Sequence, residues 1–332
     1  MAKKPRNSVS NRRDYGRSQA TRRSRRKRTA FRHNRWLLVG GISLLVAAVV
    51  VFFVFLSNQS SSTINGQTGV AADETTLKLV TQIDPNRFDQ IGTGGISNPF
   101  QTPQGSLPLL TGPTGKPEVF FYGAEWCPLC AAERWAVVAA MSRFGTFHTL
   151  RETVSASDDS YPNTSTFTFY QSSYTSSYLD FVPIESQDNQ RQTLQTPTGE
   201  EQQLLTRYNV TGYPFMDIGD RYLITASSFD PAVLRTNPQD PSSPPLSQQE
   251  IARQLSSGNK LSVCILGTAN YLTAAVCSIT NNQPANVCGS SSIQHIETSL
   301  SQARQSYTLP AHLVGEAVTS PFTADVWRRL SW

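Results

Sequence analysis

Histidine is scarce in this chain, with four residues in 332, and His33, His148, His295 and His312 lie far apart. A structural zinc site takes four ligands, usually a second cysteine or histidine pair at short spacing. The scattered histidines, and the lack of any second closely spaced cysteine pair, argue against a zinc knuckle. The cysteines number five (Cys127, Cys130, Cys264, Cys277 and Cys288), with none in the first 126 residues. No internal repeat is present. Acid is nearly missing from the first 35 residues, where Asp14 stands against 14 Lys or Arg, giving that segment +13. Of 29 bases and 24 acids in all, the remaining 297 residues then hold 15 and 23, a net −8. The basic balance of the chain belongs to its tail. A nucleic-acid binder would carry such charge on a folded face, so no nucleic-acid partner is expected.

Charge is lacking altogether from Trp36 to Leu56, WLLVGGISLLVAAVVVFFVFL. At ~1.5 Å per residue, such a helix spans the roughly 30 Å apolar core of a bilayer. The basic flank directs the N-terminus to the cytoplasm and the body of the chain to the outside, and Trp36 suits the interface. The run is longer than the core of a cleavable signal peptide and ends in Phe-Phe-Val-Phe-Leu, so an uncleaved single-pass anchor in the cell membrane is expected. The expected organisation is a basic cytoplasmic tail over 1–35, a membrane helix over 36–57, a polar linker over 58–75 and an extracytoplasmic domain over 76–332. Disulfides are permitted outside.

The chemistry concentrates at Cys127-Pro128-Leu129-Cys130. The apolar run Val119–Tyr122 before it reads as a buried strand, and Pro128 to about Phe144 as a helix, with Pro favoured at the first helical position. Cys127 is thereby expected at a helix N-terminus, exposed, where free N–H groups and the helix dipole favour the thiolate. Two cysteines at this spacing suit a dithiol–disulfide redox pair. An inert disulfide and a two-thiolate metal site stay open beside it. Trp126 either limits access to the site or is an ordinary core aromatic. Glu125 either opposes the thiolate or, as is commoner, points to solvent. Glu133 and Arg134 are adjacent on the helix, do not face each other and receive no role.

Further along, Gly and Pro over 92–113 imply loops in 71–116, with at most one strand or short helix. Phe147–Arg151 reads as a strand, and 154–186 as strand and loop. Gly199–Tyr208 reads as a helix. Phe215–Ile218 and 221–227 read as an antiparallel pair, which leaves Asp217 more plausibly at the surface than buried. Helices are expected from Ser247, over 260–280 and from Ser290 to about Tyr307. The 260–280 helix is apolar enough for a core and a weak candidate for a second membrane span. Cys277 and Cys288, 11 residues apart across a Gln283-Pro284 turn, are expected to form a structural disulfide. The rival pairing of Cys264 with Cys277 would stretch ~20 Å along one helix, so Cys264 is left as a buried thiol.

Strand, WCPLC, helix, and then Val210-Thr211-Gly212-Tyr213-Pro214 leading a further strand, together resemble the thioredoxin superfamily. The stretch YGAEWCPLCAAERWAVVAAMSRFG, with Asn281–Cys288 (NNQPANVC), is similar to the thioredoxin-like group described as domain of unknown function 929, over most of residues 76–330. The resemblance implies an α/β thioredoxin-like fold, a central mixed sheet flanked by helices, with insertions. It implies a cis peptide before Pro214 and a backbone at Tyr213 that meets an extended substrate chain. It implies thiol–disulfide exchange by Cys127 and Cys130, without cofactor or metal, on protein thiols of exported proteins, served by a redox partner protein. A binding or scaffold domain with a permanent CxxC disulfide is the alternative.

Overall fold

A computed structural model describes residues 69–105 and 107–308, with side chains through 304. The basic tail, the uncharged run and the linker as far as residue 68 lie outside the described residues.

Strand β1 (Val70–Ala71) leads to α1 (Glu74–Thr81) and α2 (Pro85–Ile91), then β2 (Glu118–Gly123) and α3 (Pro128–Met141). Five strands come next: β3 (Gly145–Phe147), β4 (Arg151–Val154), β5 (Ser165–Thr168), β6 (Tyr174–Ser176) and β7 (Asp180–Glu185). Then come α4 (Gly199–Arg207), β8 (Phe215–Ile218), β9 (Tyr222–Ile224), a 3-10 turn (Pro231–Leu234), α5 (Gln248–Gln254), α6 (Lys260–Ile279), α7 (Ala285–Cys288) and α8 (Ser291–Thr308).

The main sheet runs β7-β2-β8-β9. β7 lies parallel to β2, with Glu118 opposite Asp180 and Gly123 opposite Glu185. β8 lies antiparallel on the other side, with Val119 opposite Ile218 and Tyr122 opposite Phe215, and β9 closes the edge. Both faces are covered, so β2 reads as an unbroken apolar run rather than an alternation. Val119, Phe121, Met216 and Ile218 face α3 and α6. Phe120, Phe215 and Leu223 face Leu204 and Leu205 of α4. Smaller sheets, β1-β4-β5 and β3-β6, flank this core.

Several expectations need correction. Residues 71–116 contain two helices, each opened by an aspartate: Asp73 accepts from the Thr76 N–H and Asp84 from the Asn86 N–H, both at 2.9 Å. Such caps satisfy orphan N–H groups and start helices even in breaker-rich sequence. α3 stops at Met141, short of Phe144, and the strand expected over 147–151 is divided between β3 and β4.

α6 is long and apolar enough to cross a membrane, but nearly all of it is buried within the protein. Most of its buried polar residues are satisfied internally, though the Thr268 hydroxyl has no hydrogen-bond partner among the described residues. The Asn270 amide donates to the carbonyls of Phe88 and Gly92 at 2.8 and 2.7 Å, closing the end of α2. A Cβ at Gly267 would stand 2.4 Å from the Thr93 carbonyl oxygen, so only glycine lets that turn lie against the helix.

Cys277 and Cys288 form the expected disulfide, tying the end of α6 to α7 with their Cα atoms 5.6 Å apart. Cys264 is a buried free thiol. Removing the bridge in a Cys277→Ala/Cys288→Ala double variant is expected to cost about 2–3 kcal/mol, from the chain entropy of the loop it closes. A urea unfolding midpoint unchanged by the double substitution would contradict this.

Candidate functional site

Four stretches distant in sequence converge at the C-terminal end of β2. The strand delivers Gly123, and the turn after it is held by backbone bonds, Glu125 N–H to Gln187 O at 2.8 Å and Ala156 N–H to Trp126 O at 2.9 Å. Cys127 is the N-cap of α3, with extended backbone, and its sulfur accepts from the Cys130 N–H at 3.2 Å. Pro128 occupies the first helical position, where its missing N–H costs nothing. A Cβ at Gly123 would meet the Phe121 ring at 2.7 Å and the Cys130 sulfur at 3.4 Å, so glycine there lets the helix sit close to its strand.

Across from the cysteines the Tyr213–Pro214 peptide is cis, and the Tyr213 carbonyl oxygen lies 4.0 Å from Cys127 Sγ. Trp126 meets Tyr213 edge to face, with ring centroids 5.7 Å apart. Tyr213 also packs on Tyr122 at 5.0 Å and accepts from Ser186 Oγ at 2.8 Å. Ala124, Cys127 and Cys130 form a small buried cluster against the Trp126 and Tyr213 rings. All five residues expected at the site are thus brought together: Cys127, Cys130, Trp126, Tyr213 and Pro214.

One expectation about them changes. Cys127 is only 4% exposed, where an open thiol was expected, and Cys130 is fully buried. Trp126 and Tyr213 pack against Cys127, and Trp126 is itself fixed from outside. Its indole N–H donates to Gln187 Oε1 at 2.8 Å, and the Arg191 guanidinium lies 5.1 Å over its ring. Arg191 is in turn paired with Asp158 at 2.8 Å. Nothing in local spacing connects residues 158, 187 and 191 to position 126.

Both CxxC cysteines are free thiols, and they differ electrostatically. The hydrogen bond from Cys130 holds the Cys127 thiol below the usual range against the opposing effect of burial, and the Arg134 charge adds to the lowering. Burial drives Cys130 well above the usual range, reinforced by its bond to Cys127. A low-lying outer thiol beside a high-lying inner one is the division of labour that a nucleophile and a resolving thiol require.

Arg134, to which no role was assigned, lies one helical turn beyond Cys130 and is completely buried. It makes a two-pronged pair with Glu185, Nε to Oε1 at 2.8 Å and Nη2 to Oε2 at 2.6 Å, and Nη2 also donates to Ala124 O at 2.8 Å. The β2–β7 register brings Glu185 there, since it stands opposite Gly123.

Glu125 does not point to solvent. It is fully buried, its Oε2 accepts a long 3.4 Å bond from Thr153 Oγ1, and its Oε1 has no hydrogen-bond partner. Burial pushes its carboxyl up to about 7. Glu133 is buried too, and accepts from the Ser228 N–H and Oγ at 2.8 and 3.0 Å, stapling α3 to the segment after β9. Asp217, expected at the surface, is fully buried on the face covered by α4, away from α3 and its cysteines. Alternation places polar residues outward only where one sheet face meets water, and this sheet has no such face. Among the described residues, no group of three or more His, Cys, Asp and Glu side chains is placed to hold a metal ion.

The family model described as Domain of unknown function (DUF929) matches residues 108–278, which is 171 of the chain's 332 residues, and the chain belongs to that family. The matched segment spans the CxxC site, the cis Tyr213–Pro214 peptide and nearly all of α6. No curated protein and no solved structure matches the chain.

Proposed function

We propose that this member of the DUF929 family is a thiol–disulfide oxidoreductase with a thioredoxin-like fold, held at the cell membrane by residues 36–57 and acting on exported proteins. The observation that carries the reading is the placement of Cys127 Sγ. It receives the Cys130 N–H at a helix N-terminus and faces the carbonyl of a cis Tyr213–Pro214 peptide. The strand order β7-β2-β8-β9, with a CxxC helix directly after the central strand, supports the fold assignment.

In this reading the Cys127 thiolate attacks one sulfur of a substrate disulfide. A mixed disulfide forms, and the other substrate sulfur leaves as a thiolate and takes a proton from solvent. Cys130 then loses its proton and attacks Cys127 Sγ. The mixed disulfide breaks, the second substrate thiol leaves, and a Cys127–Cys130 disulfide remains. Two electrons pass from the protein to its substrate, and the reverse sequence oxidises a substrate dithiol. Tyr213, beside the cis proline, offers its backbone to the bound chain, and Trp126 forms the wall of the entry. No cofactor takes part. Re-setting the pair falls to a separate redox partner protein.

One observation favours the alternative, a binding or scaffold domain with a permanent CxxC bridge: Cys127 is 4% exposed. Trapping separates the two. A full-length Cys130→Ala variant should hold partner proteins covalently on Cys127, released by dithiothreitol. The wild-type Cys127 should alkylate faster than Cys130 after reduction. A variant that traps nothing, with both thiols equally slow to alkylate, would establish the scaffold reading.

A further inference from the structure

A second site lies at the opposite end of β2. Glu118 begins the strand whose sixth residue is Gly123, so the two ends stand roughly 16 Å apart at ~3.3 Å per residue. Here a cavity of about 250 Å³ opens between β2, β7 and the first turn of α4. Its walls are apolar, with Leu110, Val182 and Leu204 among them, and three carboxylates line it: Glu118, Glu200 and Glu201.

The Glu118 side chain is the anomaly. It is 8% exposed and makes no hydrogen bond or ion pair with any described residue. Buried charges are ordinarily paired, or lose their charge. The groups facing Glu118 from α4, β7 and the β8–β9 turn are Glu200, Glu201, Asp180 and Asp220, all acidic. Burial and these neighbours push its carboxyl up to about 7. The base on α4 is already engaged, since Arg207 pairs with Asp220 at 2.9 Å. Behind the cavity, the buried Asp217 Oδ2 also has no hydrogen-bond partner.

The lining selects among ligands. Three carboxylates repel an anion. The N-terminus of α4 offers little to one, because Glu200 and Glu201 stand in its first turn. A metal ion would need a convergence of ligating side chains that the described residues do not provide. A cation with an apolar stem satisfies both the walls and the charge.

We propose that this cavity binds a primary alkylammonium group, with its stem on Leu110, Val182 and Leu204 and its –NH3+ against the Glu118 carboxylate. Such a group is carried by a free amine or by a lysine side chain of a partner protein. The site is independent of the cysteine chemistry at the other end of the strand.

The test is calorimetric titration of the full chain at about pH 8, above the raised value of Glu118, with n-butylamine, with Nα-acetyl-lysine amide and, as uncharged control, with n-butanol. A ligand of this size is expected to bind in the millimolar range. Wild-type protein should prefer the amines over n-butanol by about tenfold or more, and Glu118→Gln should lose that preference. This substitution puts a neutral amide of the same shape in place of a buried carboxyl, so the fold should persist. Glu200→Gln, at an exposed position, should weaken amine binding by about twofold without touching the core. Tighter binding of n-butylamine assigns the site to free amines, and tighter binding of the lysine amide assigns it to a protein side chain. Equal affinity for n-butylamine and n-butanol, no saturation by about 100 mM, or amine binding untouched by both substitutions would overturn the proposal.

Discussion

Replacing Arg134 by methionine is expected to destabilise the domain by about 3–5 kcal/mol, the cost of leaving a buried ion without its partner. Arg134 and Glu185 are both fully buried, and their two short contacts are the counter-charge that each has. Replacing both ends, in Arg134→Met/Glu185→Leu, should recover most of the loss, because a buried pair exchanged for apolar residues of similar volume is often neutral. The double variant also separates packing from electrostatics at the cysteines. The Arg134 charge favours the thiolate at both Cys127 and Cys130. Its removal in a stable background should therefore raise the pH at which Cys127 ionises, followed by the ultraviolet absorbance of the thiolate. An unchanged ionisation pH in a well-folded double variant would reduce Arg134 to a structural role.

The second large effect is an unusual dependence of stability on pH. Burial pushes Asp217 up to about 8, and Glu118, Glu125 and Glu133 up to about 7, from ordinary values of 3.8 and 4.5. A carboxyl raised in the fold stays protonated there at a pH where the unfolded chain has already ionised. The folded state then binds more protons, and stability falls as pH rises. The stabilisation is complete below about pH 4 and is lost between there and about pH 8. Cys127, with its lowered value, works in the opposite direction. The free energy of unfolding is expected to drop by several kcal/mol between about pH 5 and about pH 8, since a tenfold change in proton affinity is worth ~1.4 kcal/mol. Urea midpoints measured across that range decide it. A midpoint that rises toward alkaline pH would mean that these carboxyls are ionised in the fold.

Both effects come from the part of the protein that was not legible in its sequence. The legible part rests on local rules. Cys127 precedes a proline that fits the first turn of a helix, so its capping position is set by neighbours in the chain. Cys277 and Cys288 sit at either side of a turn, and the long apolar run of α6 forces Cys264 away from both. The cis peptide at Tyr213–Pro214 came from family resemblance and not from the residues alone. By contrast, Arg134 meets Glu185 across 51 positions, and that meeting depends on the β2–β7 register. Asp217 lies on a strand whose alternation implies a wet face, but the sheet is covered on both sides, and Glu125, which an isolated position would send to solvent, is enclosed by contacts distant in sequence. The two short helices before β2 were hidden by surrounding Gly and Pro, though the Asp73 and Asp84 caps were the signal that could have revealed them.

In α3 every residue but Leu129 is buried. A helix with no water-facing stripe gains little from docking on one neighbour, and its stability comes from enclosure by several. Part of that enclosure is α6, whose residues enter the chain more than a hundred positions after the cysteines. The opposite displacements of the two thiols, set by burial and by the bond between them, are therefore expected only once the distal half of the polypeptide has closed over α3.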